Sequence, residues 1–547
     1  MNLLRLWHTL SDLKFIQITS RIKIILKKII HKKLKIKSTK ITPPTFFNIM
    51  ITKHQNIYIP SWGGPYFLDH SLCLINKINV FDLNQPWKSP NHQDPLWLYH
   101  FHYFEYLHSD VSADQKIAKA LLDSWIDQHP MGSKIAWDPY PCSLRITHWI
   151  LWALKNNPLS DTQNKSLFTQ AAYLSQNLET HLLGNHYFEN GIALVFAGTY
   201  FKNLKFKNLG LKILKQQIPE QILEDGGHFE RSPMYHCVIL FRLLHLKTLE
   251  KIAGETYPLP LEKTILKMLR WLNIMSHPDG EISFFNDSCF NIAPNFNFLK
   301  NYAESLNIFL SPSALNLAPL EHLKNSGFIR LTQDNLVCLI DVGNTGPRYI
   351  PGHAHAESLS FELSLWGQRV FVNSGTSTYH DLDLRAFQRS TPAHNTVQIN
   401  HTNSSDIWSK FRVGKKAKII KLNIKNNQNP GDASEIKIVA AHNGYDNQNI
   451  IHERTFILTE KKLLITDQIF GNYLSAQSFL HLDPSCIFNS QDSLINLKTG
   501  AAVLFKSNQN WQSYKTYFYD SMNLEKPNYS LCSKWNGAIN QFEISAS

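Results

Sequence analysis

The period of the hydrophobic pattern changes once along this chain, and that change limits the folds open to it. From about residue 95 to 320, apolar residues recur every three or four positions, as in "DQKIAKALLDSWIDQ", "SLRITHWILWALKN", "VILFRLLHLKTLEKI" and "LEKTILKMLRWLNIM". This is the spacing of helices that bury one face. After about residue 325 the period falls to two, and "GFIRLTQDNLVCLIDVG", "SLSFELSLWGQRVFVNSG" and "HERTFILTEKKLLITDQIFG" alternate apolar with polar residues, as half-buried strands do. Helices in series pack as antiparallel pairs, and strands in series fold as an antiparallel sandwich. The pattern therefore predicts a multidomain α and β chain with a helical layer or toroid first and a C-terminal antiparallel β-sandwich after it. The expected boundaries are a basic N-terminal extension over 1–45, a helical domain over 46–322 and a sandwich over 323–547. The stretch "KLNIKNNQNPGDASEIKI" reads as a long surface hairpin loop.

Charge is distributed unevenly. The chain has a formal net charge of +12, yet residues 1–40 hold eleven Lys or Arg against one acid, Asp12, so ten of those charges lie in the leader. The body is nearly neutral, which argues against a nucleic-acid partner, and the leader lacks the interleaved aromatics such binding would use. It reads instead as an amphipathic helix in peripheral contact with an anionic membrane, or as a solvated extension. No stretch is long and apolar enough to span a bilayer. Asp12, Lys14, Arg21 and Lys23 interrupt any signal-peptide core, so a cytoplasmic or membrane-peripheral location stays open. The seven cysteines are scattered, with neither a disulfide framework nor thiolate zinc spacing.

Three polar clusters interrupt the apolar patterns. "GNHYFENG" places Asn185 and His186 before an apolar helix, with Glu189 one turn on. "EDGGHFERSPMYHCV" brings His228, Glu230, Arg231, Tyr235 and His236 together ahead of another helix. "GHAHAES" puts His353 and His355 two apart at the mouth of what reads as a strand, where both would share one face. "RAFQRSTPAHNTVQIN" then adds Arg385, Arg389, His394 and Asn395.

Taken in order, "GNHYFENGIALVFAG", "DGGHFERSPMYH", "GHAHAESLSFEL" and "PAHNTV" resemble the heparinase II/III superfamily of polysaccharide lyases, which includes related alginate lyases. The resemblance runs from "PWKSPNHQDPLWLYHFHYFEYL" (86–107) to the final strands. It implies an (α/α) toroid followed by a β-sandwich, with the site between them and a periplasmic or envelope location. It further implies β-elimination on a uronic-acid-containing anionic polysaccharide. Asn185 and His186 would hold the substrate carboxylate, while Tyr235 and His353 would exchange protons. Arg145, Glu189, His228, Arg231, Arg389 and Asn395 are the substrate-binding candidates. His355 and His394 would bind a structural zinc, with Asn373 standing where relatives have an acid. The alternatives are a non-catalytic polysaccharide-binding or exopolysaccharide-biosynthesis protein of the same fold, and a hydrolase built on two of Glu189, Glu230 and Glu357.

Overall fold

The structure, a computed structural model, describes residues 3–34, 41–50, 58–68, 71–80, 87, 94–109, 115–156, 158–427, 435–537 and 539–546. Parts of three expectations fall outside these residues: "KSPNHQ" of the 86–107 motif, 35–40 of the leader, and the tip of the 421–438 hairpin.

Helices Pro95–Tyr103, Gln115–Gln128, Pro139–Lys155, Asp161–Gln176, Gly184–Tyr200, Leu204–Gln221, Pro233–Ala253 and Leu261–Met275 follow one another and share one apolar core. Their starts are encoded locally. Asp94, Ser160, Asn203 and Ser232 each cap a first turn by accepting from its backbone N–H groups. Helix Leu204–Gln221 is absent from the apolar pattern because Gly210 and Pro219 interrupt it. Gly210 is there for contact: a Cβ on it would lie 2.6 Å from the carbonyl oxygen of Gly191 on the neighbouring helix.

One departure from the expected order comes early. Strands Tyr66–Leu68, Ser71–Leu74 and Lys77–Val80 form a three-stranded antiparallel sheet inside the expected helical domain. Its turn reaches the far end of the chain, where Asn523 donates to the Ile75 carbonyl at 2.9 Å and Asn76 donates to that of Met522 at 3.0 Å.

The C-terminal half is antiparallel throughout its described sheets. Five strands run in chain order from Leu320–Leu323 to Gln368–Phe371, facing an eight-stranded sheet and a four-stranded one. Strand Ile450–Thr459 alternates buried and half-buried residues along its whole length. Ile329, Leu363, Phe456, Leu480 and Phe542 from these sheets meet in one core. The "KLNIKNNQNPGDASEIKI" stretch is more strand than loop, since Ile419–Asn427 and Glu435–Tyr445 pair down to Asn427 opposite Glu435.

Buried polar contacts join the two halves. His277, just past a toroid helix, bonds Glu362 at 2.8 Å and Ser364 at 2.7 Å on a sandwich strand. Arg330 donates back to the carbonyls of Ile274 and Ser276 at 3.0 and 2.7 Å. Within the sandwich, Arg454 lies fully buried against Asp467 at 2.7 Å and donates to the carbonyls of Leu359 and Asn395. Arg454→Met strands the Asp467 charge and should lower stability by about 3–5 kcal/mol, read as an earlier denaturant midpoint for the sandwich transition. An unchanged midpoint would show that this pair does not brace the sheets.

Candidate active site

A cavity of about 680 Å³ opens where the toroid meets the sandwich. It is lined by Asn185, His186, Glu230 and Tyr235 from the helical side and by His353, Tyr379 and Phe411 from the other. Leu183 and Gly184 both take positive φ, 65° and 57°, which turns the chain sharply so that Asn185 and His186 open a helix at the cavity edge. A Cβ on Gly184 would lie 2.8 Å from Ile350 and 3.0 Å from a Glu230 carboxylate oxygen, so only glycine fits this approach. Ser232 caps the next helix by accepting from the N–H of Tyr235 at 3.1 Å, fixing that ring at the cavity floor.

The organising group is Asp287, from "FFNDSC", which the sequence motifs did not single out. It is fully buried, and Arg385 grips both of its oxygens, at 2.6 Å on the Oδ2 side. Burial alone would raise its pKa, but Arg385 and the histidine hydrogen bonds hold it well below the usual carboxylate range. His353 Nδ1 bonds Asp287 Oδ2 at 2.7 Å, and His355 Nε2 bonds Oδ1 at 2.7 Å. Residues 351–353 form a single 3₁₀ turn and the strand begins only at Phe361, so the alternation does not place the two histidines on one face of a strand. They serve one carboxylate instead.

An ionised carboxylate can only accept, so His353 carries a proton on Nδ1 and turns Nε2 outward, 3.6 Å from Glu230. The Tyr235 ring lies beside it, with centroids 3.9 Å apart, and its hydroxyl is 3.3 Å from that of Tyr379. Burial, reinforced by Tyr379 and Asp287, pushes the Tyr235 phenol well above 10. Across the cavity His186 stacks on Tyr140 at 4.4 Å and pairs with Glu179 at 2.9 Å. Burial lowers its pKa, but Glu179 outweighs that and raises it overall.

The same logic exposes a second centre. His394 Nδ1 faces the Ser390 carbonyl at 2.8 Å and must be the donor there. His355 Nε2 is the donor to Asp287. Burial keeps both imidazoles neutral, His355 pushed down to about 4 and His394 well below its ordinary value. The nitrogens that face each other, His355 Nδ1 and His394 Nε2 at 3.0 Å, are therefore both lone pairs. Glu357 Oε2 completes the trio 3.3 Å from His394, buried and without a hydrogen-bond donor. Burial raises the Glu357 pKa well above its ordinary value, and the three ligand atoms, all within 4.8 Å of one another, fit a divalent cation that would hold the carboxylate ionised. Asn373, expected to stand in for the acid, is occupied elsewhere: its Oδ1 accepts from Ser360 and from the Asn395 N–H.

Most of the residues expected to bind substrate lie away from the cavity, and each has another job. Arg145 is fully buried, stacked on Trp125 and bonded to Gln170. His228 bonds Gln221 behind the site at 3.2 Å. Arg231 donates to the Asn344 carbonyl. Arg389 clips the "GHAHAES" loop by donating twice to the Ala354 carbonyl. Asn395 bonds the Phe361 carbonyl and the His481 N–H inside the sandwich. Glu189 is buried against Arg242 at 3.2 Å, which itself lines the cavity. The cations that reach the cavity are Arg21, Arg242, Arg348, Lys410, Arg412 and Lys416. Tyr140 and Tyr379 were missed too; neither belongs to a dense polar cluster.

Comparison with known proteins agrees with this architecture. Residues 87–316 match the family model "Heparinase II/III N-terminus", and residues 316–532 match "Heparinase II/III-like, C-terminal". A heparin-sulfate lyase of Pedobacter heparinus is 24% identical over 400 residues, covering 66% of this chain and 57% of that protein. FtsZ-localized protein C of Caulobacter vibrioides is 23% identical over 407 residues, covering 72% and 67%. The heparin-sulfate lyases matched are spanned over only 36% to 57% of their own length. Among solved structures, heparinase III superposes with a TM-score of 0.66 at 19% identity, covering 93% of this chain and 87% of the other. With both halves matched in order and the toroid-and-sandwich fold shared, the chain belongs to the heparinase II/III family.

Proposed function

We propose that the chain is a polysaccharide lyase that cleaves a uronic-acid-containing anionic polysaccharide by β-elimination. The observation that carries this reading is one cavity in which an imidazole oriented by Asp287 and a protonated phenol lie 3.9 Å apart by ring centroids, with six Lys and Arg among the lining residues. In this reaction the C5 proton leaves to a base, the C4–O4 bond breaks, O4 takes a proton and a C4=C5 double bond forms. Asn185 and the His186 imidazolium hold the carboxylate beside C5, where negative charge builds. His353 Nε2, oriented by Asp287, accepts the C5 proton. Tyr235, whose raised pKa keeps it protonated, donates to O4. Lys410 and Arg412 suit the flanking acidic sugars. The names of the heparin-sulfate lyase relatives support the substrate class.

His355, His394 and Glu357 would hold a zinc ion, with Asp287 buttressing His355 from behind. Bound there, zinc would tie the "GHAHAES" loop to the sandwich; the proton transfers are left to His353 and Tyr235. A hydrolytic pair has less support, because of Glu189, Glu230 and Glu357 only Glu230 lines the cavity. A non-catalytic role in the same fold draws on the match to a protein named for where it localises.

Ultraviolet absorbance decides among these readings, since only elimination creates the conjugated double bond. On a panel of uronic-acid polymers the wild type should raise absorbance with at least one. Tyr235→Phe and His353→Ala should each lower kcat by roughly 10²–10⁴-fold. New reducing ends without absorbance would replace the lyase reading with a hydrolase; binding without cleavage would favour the non-catalytic role.

The raised pKa of His186 keeps it charged as pH rises past its ordinary value, and that charge is lost as pH rises through the raised value. Glu179→Gln should therefore move the alkaline limb of kcat/KM to lower pH. An unmoved limb would remove the imidazolium from the mechanism.

Zinc added to chelator-treated protein at a hundredfold excess over its Kd should stabilise it by about 2.7 kcal/mol. Glu357→Gln should lose most of that gain in thermal midpoint. Equal gains in both proteins would dismiss the three-residue site.

A further inference from the structure

The N-terminal residues form two helices, Leu3–Ser11 and Phe15–Leu34, that lie along the rim of the cavity. Thr9, Leu13, Gln17 and Arg21 line it. Their attachment is polar and reaches both domains. On the sandwich side Arg5 pairs with Asp406 at 2.7 Å, Thr9 accepts from Trp408 at 3.2 Å, and Asp12 takes Arg348 and Lys416, both at 2.7 Å. On the toroid side Gln17 donates to the Leu182 carbonyl at 3.2 Å, Ser20 bonds Thr180 at 2.9 Å, and Arg21 donates to the His181 carbonyl at 3.3 Å.

The helices are thus docked the wrong way round for a globular protein. In the second helix Gln17, Ser20, Arg21 and Ile24 face inward, a spacing of three, one and three. Phe15, Ile18, Ile22, Ile25, Leu26 and Ile29 occupy the opposite side of the helix wheel and are 41–81% exposed. The first helix repeats the inversion, with Leu3, Trp7 and Leu10 outward at 83%, 67% and 47% exposure. Scattered surface leucines are ordinary, but a stripe along two consecutive helices is not.

We propose that this outward face binds the surface of an anionic lipid bilayer, with the helix pair lying in the membrane plane and the cavity beneath it. Charge complementarity selects this occupant over a second protein. The segment carries eleven Lys or Arg in its first forty residues, Lys23 and Lys27 flank the apolar stripe in solvent, and its single acid, Asp12, is already neutralised by Arg348 and Lys416. Trp7 and Phe15 suit the headgroup boundary. Among the described residues no helix is long and apolar enough to cross a membrane, so the mode is in-plane. The proposal does not depend on the lyase reading.

The test is co-sedimentation of the full chain with vesicles of pure phosphatidylcholine and of phosphatidylcholine with phosphatidylglycerol. Wild type should bind the anionic vesicles at low salt, release as salt rises, and bind the neutral ones at least about tenfold more weakly. Ile18→Gln/Ile22→Gln/Ile25→Gln, whose side chains are 41–57% exposed on the outward face, should lose anionic binding at least about tenfold while keeping the wild-type thermal midpoint. Lys23→Glu/Lys27→Glu should lower it and flatten the salt dependence. Brominated lipid should quench wild-type fluorescence more than that of Trp7→Phe. Wild type that stays in the supernatant with anionic vesicles overturns the proposal. So does a concentration-dependent dimer by light scattering that disappears in the triple isoleucine variant without any vesicle binding, which would make the face an interface between copies.

Discussion

The site depends on one buried negative charge. Asp287 is fully buried, and burial would protonate or expel it if Arg385 did not grip both its oxygens. Once ionised, it can only accept, and that fixes the protons on the two histidines it touches. His353 is left with Nε2 toward the cavity, and His355 with a lone pair toward His394. Two sites with different chemistry thus take their protonation from a single carboxylate. The backbone agrees, because the N–H of Asp287 donates to the His353 carbonyl at 3.1 Å, closing the loop on itself.

This arrangement requires both domains. Asp287 follows the last long toroid helix, whereas Arg385, His353 and His355 belong to the sandwich half. The buried contacts of His277 with Glu362 and of Arg330 with the Ile274 and Ser276 carbonyls hold that seam in register. The N-terminal helix pair spans the same seam from outside. The cavity is thus formed between two domains and spanned by a third element.

The two-part fold was legible in the sequence because helix and strand periods differ and each was sustained over many elements. Asn185, His186, Tyr235 and His353 were legible as dense polar groups at element ends, and all four line the cavity. What escaped has physical reasons. Asp287 stands in "FFNDSCF", flanked by Asn286 and Ser288 and with no second charged group to mark a cluster; its signal was that a lone acid among aromatics must find a buried partner. Arg145, Arg231 and Arg389 looked like grips for anions, but guanidinium groups serve equally well for tying backbone carbonyls, and spacing does not distinguish the two uses. Glu357 was passed over because the family resemblance put the acid's place at Asn373, whereas the fold sets Glu357 3.3 Å from His394. The leader was read as basic and amphipathic, yet nothing in its pattern told which face would meet the protein.

The orientation of His353 by Asp287 is the claim on which the rest turns. Nitrogen-15 NMR of histidine-labelled protein, with His353 assigned by difference against His353→Gln, reads its tautomer directly. The account predicts a neutral ring protonated at Nδ1, and loss of that preference in Asp287→Asn. A ring protonated at Nε2 in the wild type would turn a proton, not a lone pair, toward the cavity and contradict it.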